Sequence, residues 1–220
     1  MARPYTFIFS TATLDGRIAS VTGYSLLSCE EDFRLQHSYR AEVDAVMVGS
    51  NTALLDRPRL SVRLVKGYSP ARVIVDSRLR VPPEVAGLRG ASILVTVETH
   101  SWEKLKPYID AGVNVVQAGR GRVDLAKALD VLRKRLGVRR LMVEGGGGLN
   151  CAMLHQGLVD EVRVSYAPYI FGGGVGLAEC PGLFDGKDSR VELSLVRVER
   201  LCGDWLHAVY SVVRPKTPLL

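Results

Sequence analysis

The residues best suited to chemistry lie around Glu144. The apolar run Leu141-Met142-Val143 leads straight into Glu144 and then into Gly145-Gly146-Gly147-Gly148-Leu149-Asn150. Glycines without Cβ atoms let backbone N–H groups approach a diphosphate, and a helix starting there adds a favourable dipole. The run is not a Walker loop, because no Lys-Ser/Thr follows it. It is not the usual dinucleotide fingerprint either, since it lies late in the chain and no acid ends a strand about 20 residues on. A carboxylate leaving a buried strand is costly without partners. Amino groups of a ligand would supply them, and so would an N-cap-like role on the next helix.

A second cluster is basic. Arg57-Pro58-Arg59-Leu60-Ser61-Val62-Arg63 places three Arg close together, directly after Asp56. With Arg40 these guanidiniums could bind phosphate through planar, multi-donor heads. Taken singly, each reads as a surface ion-pair partner. Gly172-Gly173-Gly174 reads as a flexible surface loop. Cys29, Cys151, Cys180 and Cys202 form no C-x-x-C pair and the four His are scattered, so no zinc site is expected. In a reducing cytosol the cysteines read as small buried apolar residues.

The elements that must hold these groups alternate. Strands are expected at 5–10, 45–48, 72–75, 92–97, 113–117 and 140–143. Helices are expected at 30–40 with Ser28 as N-cap, from Ser101 to near Gly112, at 124–136 and at 149–156. In the helix at 124–136 the apolar positions Leu125, Ala128, Leu129 and Leu132 are spaced 3, 1 and 3, and Gly137 stops it. Strands at 161–166, 191–199 and 206–213 follow with no helix between them. The pattern implies one α/β domain over 1–220, with a mostly parallel central sheet flanked by helices and antiparallel C-terminal strands. Ligands of such sheets bind beyond the carboxyl ends of the strands. There the chain places Thr11 to Arg17, Gly49 to Arg63, Asp76-Ser77-Arg78 and the Glu144 glycine run.

Composition excludes several classes. No apolar run reaches the roughly 18 residues of a membrane helix, and the N-terminus lacks a signal-peptide pattern, so a cytoplasmic protein is expected. The net charge of +6 is spread along the chain and aromatics are only 7%, which favours phosphorylated small molecules over nucleic acid. The cluster Arg133-Lys134-Arg135 with Arg139-Arg140 fits a solvated helix end.

Taken together, these segments resemble the reductase of riboflavin biosynthesis, whose fold is similar to that of dihydrofolate reductase. The likeness runs from Arg3 to Phe171. It is carried by Ser10-Thr11-Ala12-Thr13-Leu14-Asp15-Gly16-Arg17-Ile18-Ala19, Asp44-Ala45-Val46-Met47-Val48-Gly49-Ser50-Asn51-Thr52, Asp56 to Arg63, Arg72 to Arg78, Met142-Val143-Glu144-Gly145-Gly146-Gly147 and Val159-Asp160-Glu161-Val162. The resemblance implies cofactor contacts at Ala12, Thr52 and Asp56, and diphosphate contacts at Gly146, Gly147, Gly148, Leu149 and Asn150. Ser77 and Arg78 would meet a 2′-phosphate, favouring NADPH over NADH. It implies substrate contacts at Ser25, Arg40, Leu60, Arg63 and Glu144, with the two Arg on a ribose phosphate and Glu144 on the pyrimidine. A Val at Gly147 is expected to remove the cofactor and spare the fold.

Neither the His-x-Glu nor the Pro-Cys-x-x-Cys signature of the fused deaminase is present. The resemblance is therefore to the free-standing archaeal or fungal branch. The implied substrate is 2,5-diamino-6-ribosylamino-4(3H)-pyrimidinone 5′-phosphate, and the implied assembly a homodimer; the late strands, with apolar Leu193, Leu195, Val196 and Val198, are suited to pairing subunits across an edge. No residue stands out as a catalytic acid. Alternatives are the same reduction of the deaminated pyrimidinedione, dihydrofolate reduction using Glu30, Glu31 or Asp32, and non-catalytic nucleotide or nucleic-acid binding.

Overall fold

The computed structural model describes residues 2–87, 90–181 and 190–213. In chain order the elements are β1 (Tyr5–Thr13), β2 (Arg17–Ala19), α1 (Glu30–Ala41), β3 (Ala45–Gly49), α2 (Ser50–Leu55), β4 (Ala71–Val75), α3 (Pro83–Ala86), β5 (Ser92–Thr96), α4 (Trp102–Asp110), β6 (Val113–Gln117), α5 (Leu125–Arg135), β7 (Arg140–Gly145), α6 (Gly147–His155), β8 (Glu161–Ala167), β9 (Val175–Gly176), β10 (Glu192–Leu201) and β11 (Trp205–Val213). The chain divides into two units, Met1–Tyr5 with His37–Glu144, and Thr6–Gln36 with Gly145–Leu220.

The first unit orders its strands β7-β3-β4-β5-β6. β3, β4, β5 and β6 run parallel, with Val46 opposite Arg72, Val73 opposite Ile93 and Leu94 opposite Val115. Helices make the crossovers, as parallel pairing requires. The central strands are covered on both faces and so read as unbroken apolar runs. Val46, Met47, Val48, Leu94, Val95, Leu141, Met142 and Val143 are all inaccessible to solvent. α5 buries Leu125, Ala128, Leu129 and Leu132, the positions its spacing predicts. Asp124 caps it by accepting the Lys127 N–H at 2.9 Å. Gly137, at φ 70°, ends it in the left-handed region.

In the second unit the order is β10-β11-β8-β1. β8 runs parallel to β1, while β11 is antiparallel to both β8 and β10. The C-terminal strands thus have the expected antiparallel sense. A small β2–β9 ribbon was not legible in the sequence.

Three local expectations need correction. α1 begins at Glu30, so Ser28 lies one residue too early to cap it; its hydroxyl sits 3.0 Å from Thr11 Oγ1 instead. The helix expected from Leu149 starts two residues earlier, inside the glycine run. The cysteines are paired rather than free, as Cys29–Cys202 and Cys151–Cys180. Their separations of 173 and 29 residues give no local sequence signal, so only the fold brings each pair together.

Candidate functional site

Glu144, next to last in β7, meets Arg40 from the last turn of α1. Arg40 Nε donates to Glu144 Oε1 and Nη2 to Oε2, both at 2.6 Å, and the two side chains are 7% and 6% exposed. This is the parallel, two-bond geometry that suits guanidinium to carboxylate. It supplies the partner that a buried carboxylate needs. Glu144 does not act as an N-cap, because Gly146 holds that position on α6. Arg40 Nη1 also donates to Ser61 O at 3.2 Å. The Arg40 head is therefore engaged by protein groups on three of its nitrogens.

The segment after α2 carries Arg57, Arg59 and Arg63. Leu60 is 1% exposed and takes φ 51°, an unusual conformation for a branched side chain. Arg63 is exposed, with Nη1 donating to Ser61 Oγ at 2.8 Å. Burial and then the neighbouring Arg40 and Arg59 guanidiniums lower the Arg63 pKa, and Glu144 opposes them. Three guanidiniums sharing one region repel one another, which favours a bound anion. His37, one helical turn before Arg40, was not singled out from the sequence. Its Nδ1 accepts the Arg63 N–H at 2.9 Å. Burial first, then Arg40 and Arg63, lower its pKa to about 4. Its i, i+3 spacing from Arg40 is the signal that could have found it.

The other residues that the resemblance assigns in this unit lie in or just after α2 and in the turn that follows β4. Thr52 lies in α2, and its carbonyl accepts the Asp56 N–H that closes the helix. Buried Asp76 accepts the N–H groups of Arg78 (3.1 Å) and Val81 (2.8 Å), shaping the turn that exposes Arg78. Ser77 Oγ accepts the Val123 N–H at 3.1 Å. Arg80, also missed in the sequence, donates to Ser50 Oγ and Asn51 Oδ1 at 2.6 and 2.8 Å, tying that turn to the start of α2.

In the second unit Ala12 lies fully buried on β1, and Ser25 lies exposed in the segment before α1. Gly146 takes φ 84°, which an L-residue rarely adopts, and Leu149 and Asn150 N–H groups bond back to its carbonyl. The N–H groups of Gly147 and Gly148 open α6, where helix geometry leaves them without an intrahelical acceptor. A Cβ at Gly147 would meet Gly176 O at 2.5 Å and Glu179 Cγ at 2.8 Å, whereas one at Gly148 meets nothing within 4 Å. Gly147 is thus required by packing, and the open side of the turn is at Gly148. The expectation that a Val at Gly147 spares the fold is corrected accordingly. Asn150 is inaccessible, donating Nδ2 to Leu177 O at 2.8 Å while Oδ1 has no hydrogen-bond partner. A left-handed turn, open space over Gly148 and helix-start N–H groups fit a diphosphate.

The Gly172 run is anchored, contrary to its reading as a flexible loop. Asp15 accepts Thr13 Oγ1–H at 2.6 Å and the N–H groups of Phe171 and Gly172 at 3.1 and 2.9 Å. Those bonds, Thr13 foremost, hold its carboxyl pKa down to about 2. Among the described residues no group of three or more His, Cys, Asp or Glu is placed to hold a metal ion.

One unit holds a parallel sheet and a basic cluster beside a buried carboxylate, and the other a glycine turn that fits a diphosphate; each is a feature of nucleotide-using α/β proteins. Residues 4–207 match the family model described as RibD C-terminal domain, and the chain belongs to that family. The match reaches beyond Phe171, taking in β10 and the start of β11. The chain is 43% identical over 201 residues to the 2,5-diamino-6-ribosylamino-4(3H)-pyrimidinone 5′-phosphate reductase of Methanothermobacter thermautotrophicus, covering 90% of this chain and 91% of that one. It is 39% identical over 211 residues to the protein of the same name from Archaeoglobus fulgidus, covering 90% and 94%. Among solved structures it resembles the Thermotoga maritima diaminohydroxyphosphoribosylaminopyrimidine deaminase/5-amino-6-(5-phosphoribosylamino)uracil reductase. There the TM-score is 0.79 at 25% identity, over 96% of this chain and 57% of that one. The fold is the dihydrofolate-reductase-like one expected, and the relatives are reductases of riboflavin biosynthesis, as the sequence motifs imply.

Proposed function

We propose that residues 1–220 form one reductase domain that reduces the ribosyl group of 2,5-diamino-6-ribosylamino-4(3H)-pyrimidinone 5′-phosphate, with NADPH preferred over NADH. The observation that carries this reading is the buried Arg40–Glu144 pair at the end of β7. It presents a fixed, buried carboxylate of the kind that suits amino groups, next in sequence to a turn shaped for a diphosphate. The relatives of the same name support it.

The nicotinamide, when bound, supplies a hydride. Reduction of C1′ in the ring-opened imine would consume that hydride and one proton, taken up at the imine nitrogen, to give the ribitylamino product. This chain's own part is positioning. Glu144 accepts from the pyrimidine amino groups. Arg40 fixes Glu144 rather than gripping the phosphate, which leaves the phosphate to Arg63, with Leu60 and Ser25 as further substrate contacts. Gly146, Gly148, Leu149 and Asn150 take the diphosphate. Thr52, Asp56, Ser77 and Arg78 contact the rest of the cofactor, and Ala12 borders its nicotinamide. The proton comes from solvent or substrate.

The experiment is NADPH oxidation with the diamino substrate and its deaminated analogue side by side. Turnover of the diamino compound at least about tenfold faster, a difference of about 1.4 kcal/mol in barrier, supports this reading. The reverse order supports the second reading, which the name of the Thermotoga relative favours. No turnover of either overturns both.

A homodimer in the cytoplasm completes the proposal. β10 is an edge strand exposed along nearly its whole length, with Leu193, Leu195, Val196 and Val198 open to solvent. An edge of that kind is stable in solution when paired with a second copy. Sedimentation of the wild type and of Leu195→Lys tests it: a dimer that the substitution splits supports the pairing. No helix among the described residues is long and apolar enough to cross a membrane.

A further inference from the structure

We propose that His37 is a positioning residue for substrate phosphate, holding the backbone at Arg63 so that the guanidinium faces an anion. The inference rests on the reading of Arg63 as the phosphate ligand. α1 sends two side chains, three residues apart, to the same irregular segment. His37 Nδ1 accepts the Arg63 N–H at 2.9 Å and lies 3.4 Å from the Leu64 nitrogen, while Arg40 Nη1 donates to Ser61 O at 3.2 Å. Val62 N–H is held by Ser69 Oγ at 3.0 Å. Three consecutive residues are thus fixed by side chains, just after the left-handed Leu60.

An exposed guanidinium is only as well placed as the backbone that bears it. At Arg63 that backbone depends on an imidazole which must stay an acceptor. Nδ1 accepts a hydrogen bond only in the neutral ring, with the hydrogen on Nε2. The inaccessible site and the Arg40 and Arg63 charges keep the ring neutral, with a pKa of about 4. The imidazole therefore needs no titration at neutral pH, and its part is geometric.

A core histidine with a merely structural role would affect both substrates and the fold alike. The test compares His37→Leu, His37→Asn and Arg63→Ala on the 5′-phosphorylated substrate, its dephosphorylated counterpart and NADPH. Arg63→Ala first checks the phosphate reading: equal effects on both pyrimidines overturn that reading, and this inference with it. Given a phosphate-selective Arg63→Ala, His37→Leu is expected to raise KM for the phosphorylated substrate about tenfold, the scale of one lost hydrogen bond. KM for the dephosphorylated substrate and for NADPH should stay within about twofold. His37→Asn, which returns an acceptor near Nδ1, should restore most of the loss. A His37→Leu effect of equal size on all three, or none, overturns the inference and leaves the Arg63 reading standing. Should His37→Leu fail to fold, two-bond ¹H–¹⁵N spectra of the wild-type imidazole decide. Hydrogen on Nε2 with a hydrogen-bonded Nδ1 supports the proposal, and hydrogen on Nδ1 overturns it.

Discussion

Replacing Arg40 by Leu strands the Glu144 carboxylate. Both side chains are less than a tenth exposed, and two 2.6 Å bonds join them. Removing one member of such a pair leaves an uncompensated buried charge, which costs about 3–5 kcal/mol. Ser61 O loses a donor as well. For a chain of this size each kcal/mol lowers the melting temperature by about 2–4 °C. Arg40→Leu should therefore melt about 6–20 °C below wild type. The double variant Arg40→Leu/Glu144→Leu removes both charges and should recover most of that loss. Urea denaturation followed by circular dichroism, over the four proteins of the cycle, measures the coupling. A single-variant loss under about 1 kcal/mol would mean that the pair behaves as a solvated surface bridge, and the reasoning from burial would fail. A double variant as unstable as the two singles summed would refute it too.

Gly148→Ala should fold like wild type and lose NADPH affinity, whereas Gly147→Ala should destabilise the protein, because its Cβ meets the Gly176 carbonyl; melting curves and fluorescence titration with NADPH separate the two. His37 and His207 are inaccessible, and burial chiefly holds each at a pKa of about 4 against 6.5 when unfolded. Neutral rings are favoured in the fold, so stability is full above pH 6.5 and is lost as pH falls toward 4. Each contributes at most about 3 kcal/mol, and the melting-temperature drop over that window should shrink in His207→Asn. Cys29–Cys202 spans 173 residues, so Cys202→Ser should cost about 5 kcal/mol by loop entropy; thiol titration of unfolded, unreduced protein should find no free thiol.

The elements that follow local rules were legible in the residues. α5 announces itself by a capping Asp124, a 3-1-3 apolar spacing and a terminating Gly137, because a helix is made by contacts three and four residues apart. The central parallel strands read as apolar runs, since both of their faces are covered. β2, β9 and the short α2 were missed because two to six residues carry too little periodicity to register. The Gly172 loop was misread because its anchor, Asp15, lies 157 positions away.

The residues by themselves determined the α/β class, the order of the strands in the chain and the motif set that places the chain in its family. Which groups meet was decided by tertiary structure. The Arg40 carried on α1 binds Glu144 across 104 positions, His37 takes the Arg63 amide, and four cysteines choose one of three possible pairings. Local propensity acts over a few residues. Long-range pairing depends on which surfaces packing brings within a hydrogen bond's reach, and no local pattern encodes that distance.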